Sequence, residues 1–297
     1  MIGVNKIDKK YSLALHGGAG AVAGRDYAVV EDHLRGLIEA SQANLAAGAS
    51  ALDVVEYAVA EMESSGLYVA GRGSAPNTAG YVELDASIMD GATREAGAVA
   101  AIVGVVSPIR VARRIMQVTP HVMLAGNGAL AFAREQGFEE VSDPDTYYVL
   151  PVGVYESEIH EQKHGTVGAV ALDLSGGFAA ATSTGGTFGK LAGRVGDSPM
   201  IGAGTWADDD IAISCTGTGE HIIRAGGAIS IACKVKAGAT PEVAIDEMLA
   251  EVKRLGGDGG IIAVTRDGNT VMTYNSEGMK RASVSSSEAV TVATFGA

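Results

Sequence analysis

Two short runs constrain this chain most: residues 166–172 (Thr-Val-Gly-Ala-Val-Ala-Leu) and 178–184 (Phe-Ala-Ala-Ala-Thr-Ser-Thr). Both are built from small and β-branched residues, and Asp173-Leu-Ser-Gly-Gly177 between them is a turn composition. Such a pattern reads as an antiparallel strand pair. With a three- or four-residue loop near Ser175, the numbers of opposed residues sum to about 350 or 351. Thr166 therefore faces Thr184 to within one residue. Both hydroxyls then sit at the open end, between a polar stretch and Gly185-Gly186. A cross-strand threonine pair is an ordinary sheet stabiliser, and from this geometry alone that reading stands beside a reactive one.

The flanking pattern alternates strands and helices. Residues 12–15 read as a strand entering the glycine turn His16-Gly-Gly-Ala-Gly20, followed by helical periodicity over 29–47 and a second helix capped by Ser50. Small-residue strands are expected at 97–105, a helix over 109–117 opened by Ser107-Pro108, a strand at 121–124 and a helix at 128–136. After the central pair come a Gly-rich loop (185–204), a strand (211–215), a long helix (about 219–236) and a Thr240-Pro241-capped helix to Leu255. Strands 260–265 and 270–275 form a hairpin over Asp267-Gly268. This predicts an α/β fold of sheet layers covered by helices. Residues 138–165 are polar and contain proline, the best linker candidate, but the strands on either side are alike, so one domain is expected.

Composition excludes several classes. Glycine supplies 41 of 297 residues, roughly twice the usual share and without a Gly-X-Y period, so the chain is not collagenous. A net charge of −13 argues against nucleic acid and anionic membrane surfaces. Cys215 and Cys233 make no disulfide framework, and no Cys/His cluster has zinc spacing. The stretch around Lys6, Lys9 and Lys10 lacks a secretory h-region, and no run approaches a membrane span. A cytoplasmic protein is expected.

Several short motifs carry chemistry. Gly165 permits strained backbone just before Thr166. In Gly193-Arg-Val-Gly-Asp-Ser-Pro199, Arg194 and Asp197 suit the carboxylate and ammonium of an amino acid; a surface ion pair is the plain alternative. Thr216-Gly-Thr-Gly-Glu220 leads into a helix start whose N–H groups suit an oxyanion, though such entries are common. The 16–20 turn as a phosphate cradle finds no P-loop Lys-Ser/Thr to support it, and a structural turn is the better reading. His33, His121, His160 and His221 read as structural or solvated, Cys215 as a core residue, and Asp208 to Asp210 as a solvated turn. His164 receives no chemical role.

Taken together, these stretches resemble the plant-type (class 2) asparaginase / isoaspartyl peptidase family of N-terminal-nucleophile hydrolases. The matching segments are His16-Gly-Gly-Ala-Gly20, Glu83-Leu-Asp-Ala-Ser-Ile-Met-Asp-Gly91, His164-Gly-Thr-Val-Gly-Ala-Val-Ala-Leu-Asp173, Ala181-Thr-Ser-Thr-Gly-Gly186, 193–199 and 216–220. The resemblance implies a four-layer αββα sandwich, made as a single-domain precursor that cleaves itself at Gly165-Thr166. The products are an α subunit (1–165) and a β subunit (166–297), paired as a dimer of αβ units. Thr166, its freed amine acting as base, would release aspartate from β-aspartyl dipeptides and L-asparagine. By the same resemblance, Thr184 supports the nucleophile, and Thr216 with the Gly217 N–H forms the oxyanion hole. Arg194 binds the substrate α-carboxylate, while Asp197 and the Gly219 carbonyl bind its ammonium. No cofactor is implied for catalysis. A structural sodium ion is implied on the backbone carbonyls of Met62, Glu63, Ser65, Tyr68, Ala70 and Arg72.

One position departs from the family. Most members have Asn-Ala-Gly where this chain has Val69-Ala70-Gly71, and that Asn binds the nucleophile's free amine. Asn77 and Ser74 in the same loop are the candidate substitutes. The runner-up readings are a glycosylasparaginase, disfavoured by Thr184-Gly185-Gly186 in place of Thr-Asn-Gly, and an unprocessed relative that binds aspartyl metabolites.

Overall fold

The central hairpin forms with the expected register, and its turn is built by one side chain. Asp173 Oδ1 accepts the N–H groups of Ser175 (2.8 Å) and Gly177 (3.0 Å), while Gly176 adopts φ 87°. The computed structural model describes residues 10–158 and 165–296; His160 and His164 lie outside the described residues.

The elements in chain order begin with β1 (Ser12–His16), α1 (Ala28–Ala46), α2 (Ala51–Ser65), β2 (Leu84–Asp90), β3 (Ala96–Ile102) and α3 (Pro108–Val118). Then come β4 (Met123–Ala125), α4 (Gly126–Glu135), α5 (Pro144–Tyr147), β5 (Val167–Leu172), β6 (Phe178–Thr184), β7 (Thr205–Ala207) and β8 (Ile211–Gly217). The C-terminal part holds α6 (Gly219–Arg224), α7 (Gly227–Lys236), α8 (Pro241–Arg254), β9 (Gly259–Thr265), β10 (Thr270–Tyr274), β11 (Arg281–Ser285) and β12 (Thr291–Ala293). Short 3-10 turns lie at Gly71–Gly73 and Glu156–Glu158.

Eight strands form one sheet in the order β12-β11-β1-β5-β6-β2-β3-β4, and four form a second in the order β10-β9-β8-β7. Strand alternation divides each sheet between two cores. Leu13, Leu15, Val167, Ala169, Ala179 and Ala181 face α1 and α2 in the largest core. Ile211, Ile213, Ile261 and Ala263 face α7 and α8. The intervening residues, including Ala14, Val170, Phe178, Ala180, Ala212 and Ile262, meet in the gap between the sheets. The result is the four-layer αββα sandwich. No helix among the described residues is long and apolar enough to cross a membrane.

The sequence reading missed two points. The helix expected over 219–236 is two helices, broken by Gly226 (φ 84°) and Gly227 (φ 49°). A side chain at Gly227 would collide with the backbone of Ala203, whose carbonyl accepts the Ala228 N–H at 2.8 Å. The strands β2, β7, β11 and β12 were not anticipated. On either side of the 138–165 stretch, β4 and β5 belong to one sheet.

Candidate active site

The gap between the sheets is apolar at one end and polar at the other, and the period-2 alternation of the strands produces both. Even-numbered positions on β5, β6 and β8 and in β1 face the gap. Beyond Ala14, Val170 and Ala180 they place His16, Thr182, Thr184, Ser214 and Thr216 there, all buried. Thr166 stands one residue before β5, opposite Thr184, because the Val167↔Ser183 pairing continues the register.

Thr184 links the two residues on either side of the expected scissile bond. Its Oγ1 accepts from the Thr166 hydroxyl at 3.4 Å and from the Gly186 N–H at 2.9 Å, and donates to the Gly165 carbonyl at 2.6 Å. Gly165 is wedged against Val69: a Cβ there would lie 2.7 Å from Val69 Cγ2. On the opposite side, a Cβ on Gly18 would lie 3.2 Å from Thr166 N.

Thr166 and Thr184 share a small cavity of about 10 Å³ with Gly165, Arg194, Asp197 and Gly217. That volume holds about one water. Next to it, and sharing Thr187 and Arg194, opens a cleft of about 640 Å³ bordered by Phe188, Leu191, Thr218, Glu220 and His221. Gly219 approaches Arg194 and Asp197 so closely that a Cβ would lie 2.8 Å from Asp197 Oδ1. Gly217 has φ 141°, and a side chain there would collide with the Asp258 carbonyl. Thr216 stands one step back, its hydroxyl accepting the Ala19 N–H at 3.3 Å. Thus the structure gathers Thr166, Thr184, Arg194, Asp197, Gly217 and Gly219, with Thr216 at the end of β8 bonded to the adjoining 16–20 turn.

Some contributors escaped the sequence reading. Arg194 donates through Nε and Nη2 to both oxygens of Glu220, each at 2.8 Å, which leaves Nη1 toward Gly186 and Gly196 on the cavity wall. The bidentate guanidinium holds the Glu220 carboxyl below its usual range. Beneath Arg194 lies Lys190, buried, donating to the Glu83 carbonyl at 2.8 Å. Burial pushes the Asp85 carboxyl up and the Lys190 ammonium down, and each charge partly offsets the shift of the other. Glu83 in turn fixes the start of the 193–199 loop by accepting the Gly193 N–H at 2.9 Å. The Glu83-Leu84-Asp85 alternation was the available signal, but nothing local ties it to Lys190.

Of the candidate substitutes for the family asparagine, Asn77 is committed elsewhere: its amide donates to Glu83 at 2.8 Å and its Oδ1 accepts the Ala79 N–H at 2.9 Å. Ser74 is buried against Gly185, with Oγ unpartnered among the described residues. Val69 itself packs with Ala75 and Phe188, and its carbonyl accepts the Gly185 N–H at 3.0 Å.

The carbonyls expected to bind sodium leave the C-terminal turn of α2 and the chain that folds back over it. Helix C-termini carry unpaired carbonyls and partial negative charge. Side chains at Gly71 and Gly73 would collide with the carbonyls of Glu63 and Tyr68, so both oxygens point into the loop. Met62, Tyr68, Ala70 and Arg72 each already accept one hydrogen bond, which leaves a second lone pair. This set of hard oxygen donors fits a monovalent cation.

Glu63 also carries a buried carboxyl that accepts from Ser183 Oγ (2.6 Å), Ser107 Oγ (2.7 Å) and the Ile109 N–H (3.0 Å). Burial raises it to about 7, against those three hydrogen bonds. The folded state therefore binds this proton more tightly than the unfolded chain does. The stabilisation is complete below the unfolded value and is lost as pH rises through 7. Melting curves of wild type and Glu63→Gln from pH 5 to 8.5 are expected to separate in favour of the variant as pH rises, by on the order of 1–3 kcal/mol. A pH-independent difference would show that Glu63 does not titrate here.

Comparison with known proteins agrees with this geometry. A family described as Asparaginase matches residues 9–150 and 145–294. The chain is 42% identical to an isoaspartyl peptidase of Escherichia coli (strain K12) over 92% of each chain. It is 43% identical to an isoaspartyl peptidase of Salmonella typhimurium, over 92% of this chain and 95% of the relative. It is also 41% identical to an isoaspartyl peptidase/L-asparaginase of Homo sapiens, over 90% of this chain and 91% of the relative. With a matching family spanning nearly its whole length, relatives above 40% identity and the αββα sandwich, the chain belongs to the asparaginase family of N-terminal-nucleophile hydrolases.

Proposed function

We propose that the chain is a self-processing threonine amidohydrolase that releases L-aspartate from β-aspartyl dipeptides and L-asparagine. The observation that carries this reading is the Thr184 hydroxyl, which spans the Gly165 carbonyl and the Thr166 hydroxyl. In the first step Thr166 Oγ1 attacks the Gly165 carbonyl carbon, and Thr184 donates to the oxygen as it gains charge. The C–N bond breaks, the acyl group moves to oxygen, and water hydrolyses the ester. A Gly165 carboxylate and a free Thr166 amine result. Departure of Gly165 from the small cavity then joins the nucleophile to the cleft beside Arg194.

In turnover the amine, with a reference pKa of about 7.7–8.0, takes the proton of the Thr166 hydroxyl, which attacks the substrate β-carbonyl. The oxyanion falls to the Gly217 N–H and the Thr216 hydroxyl. Collapse expels ammonia or an amino acid, protonated by the Thr166 ammonium, and water resolves the aspartyl ester. Nη1 of Arg194, braced by Glu220, grips the α-carboxylate, while Asp197 and the Gly219 carbonyl hold the α-ammonium. Aspartate release from L-Asn, β-Asp-Leu, β-Asp-Arg and GlcNAc-Asn, measured side by side, tests the assignment. The first three are expected to be cleaved; cleavage of GlcNAc-Asn alone would make the protein a glycosylasparaginase.

The same reading includes two copies of the αβ unit in the active particle and a cytoplasmic setting, the latter supported by the free, exposed thiol of Cys233. It also places a structural sodium ion on the 62–72 carbonyls, where it would tie α2 to the Val69 segment. Replacing sodium by choline at constant ionic strength is expected to lower the melting temperature. An unchanged value would remove the ion from the account.

A further inference from the structure

We infer that His16 anchors the nucleophile: it is a positioning residue that holds the backbone of Thr166 once the bond to Gly165 is gone. This rests on the reading of Thr166 as nucleophile. Ladder pairing of β5 begins at Val167, so cleavage turns Thr166 into a chain end outside the strand. Such ends fray unless tied. The Thr166 carbonyl is tied, because His16 Nδ1 lies 3.1 Å from it.

Hydrogen-bond logic fixes the imidazole. A carbonyl only accepts, so Nδ1 carries the proton and Nε2 must accept from Ser214 Oγ, 2.9 Å away. Ser214 then accepts from Thr182 (2.7 Å), and Thr182 from Thr205 (2.6 Å). Ser87 stands 2.8 Å behind Thr205 and also reaches the Ser198 carbonyl at 2.6 Å. All of these side chains are buried. The protons run in one direction, from Thr205 on β7 through Thr182 on β6, Ser214 on β8 and His16 on β1 to Thr166. Such chains strengthen each member. Burial also pushes the imidazole down to about 3, which keeps it neutral.

The backbone makes room for this contact. A Cβ on Gly168 would collide with Ser214 Oγ and His16 Nε2. The glycine after Val167 therefore serves the His16–Ser214 bond across the two sheets. The histidine of the 16–20 turn, which the proposed chemistry leaves without a role, thereby gains one.

Two substitutions separate anchoring from core packing. His16→Asn offers an N–H near the Nδ1 position, and His16→Gln offers one near Nε2. In the processed enzyme, His16→Gln is expected to lose about 10- to 100-fold in kcat with KM little changed, since the nucleophile is displaced but the substrate clamp is not. His16→Asn is expected to recover most of that loss. Equal activity of the two variants, or a loss carried by KM, overturns the inference. Nitrogen NMR of 15N-histidine-labelled wild type, with the signal assigned by its absence in either variant, provides a test that needs no turnover. An Nδ1-protonated neutral ring supports the anchor and an Nε2-protonated ring overturns it. An inert Thr166→Ala protein beside a fully active His16→Gln protein defeats the anchor alone. An active Thr166→Ala protein defeats the underlying reading.

Discussion

Thr166→Ala is expected to give one uncut chain of 30.1 kDa with no measurable aspartate release. The variant removes the attacking oxygen and little else. The side chain is buried, and its one close polar contact among the described residues is 3.4 Å long. Folding should survive, so melting temperature and secondary structure serve as controls. Removing a nucleophile from an activated set lowers kcat on the order of 10⁶-fold, below detection in an ordinary assay. Thr166→Ser keeps the hydroxyl and is expected to keep cutting. Intact mass and aspartate release read both properties from one sample. An uncut Thr166→Ala chain that still releases aspartate would end the mechanism proposed above.

Thr184→Val should slow self-cleavage on the order of 10²- to 10³-fold while leaving a folded precursor. Valine has nearly the shape of threonine but cannot donate to the Gly165 carbonyl, which Thr184 contacts at 2.6 Å. That oxygen gains charge as Thr166 attacks, so the lost hydrogen bond is one made most strongly in the transition state. The variant also leaves the Gly186 N–H without its acceptor, a cost of about 1–3 kcal/mol in stability. The time course of chain cleavage on a denaturing gel gives the rate. Wild-type processing by Thr184→Val would assign the donation to another group.

The parts of this site legible in the sequence are those whose geometry is local. Register across the 173–177 turn places Thr166 beside Thr184, and the three-residue spacing in 193–199 brings Arg194 and Asp197 to one cavity. The parts that escaped depend on which strands of different sheets come face to face. His16 and Ser214 are 198 residues apart, and their contact exists only because β8 packs over β5, the strand paired with β1. Lys190 and Asp85 likewise meet through packing rather than pattern. Asn77 and Ser74 looked equivalent as polar residues of one loop. Only the fold shows that Asn77 is spent on Glu83 while Ser74 lies against Gly185. The 219–236 break was a different kind of miss: helical periodicity continued through Gly226-Gly227, and backbone freedom there overrode it.

The strand order of the large sheet governs what would become of the molecule after the proposed cut. β1 lies between β11 and β5, and β6 pairs with β2, so each fragment contributes strands that the other surrounds. No seam divides the fragments in this sheet: parting them strips β1 of both neighbours and the β5-β6 pair of both flanking strands, while the β10-β9-β8-β7 sheet lies wholly within the 166–297 fragment. Unfolding of the cut form is therefore also a dissociation, and its midpoint should rise with protein concentration, unlike that of the Thr166→Ala precursor. Refolding would require two partly structured chains to meet and interleave, in competition with aggregation of their exposed edges. The proposed cleavage would thus turn a molecule that can find its fold repeatedly into one whose lifetime is set by its barrier to unfolding.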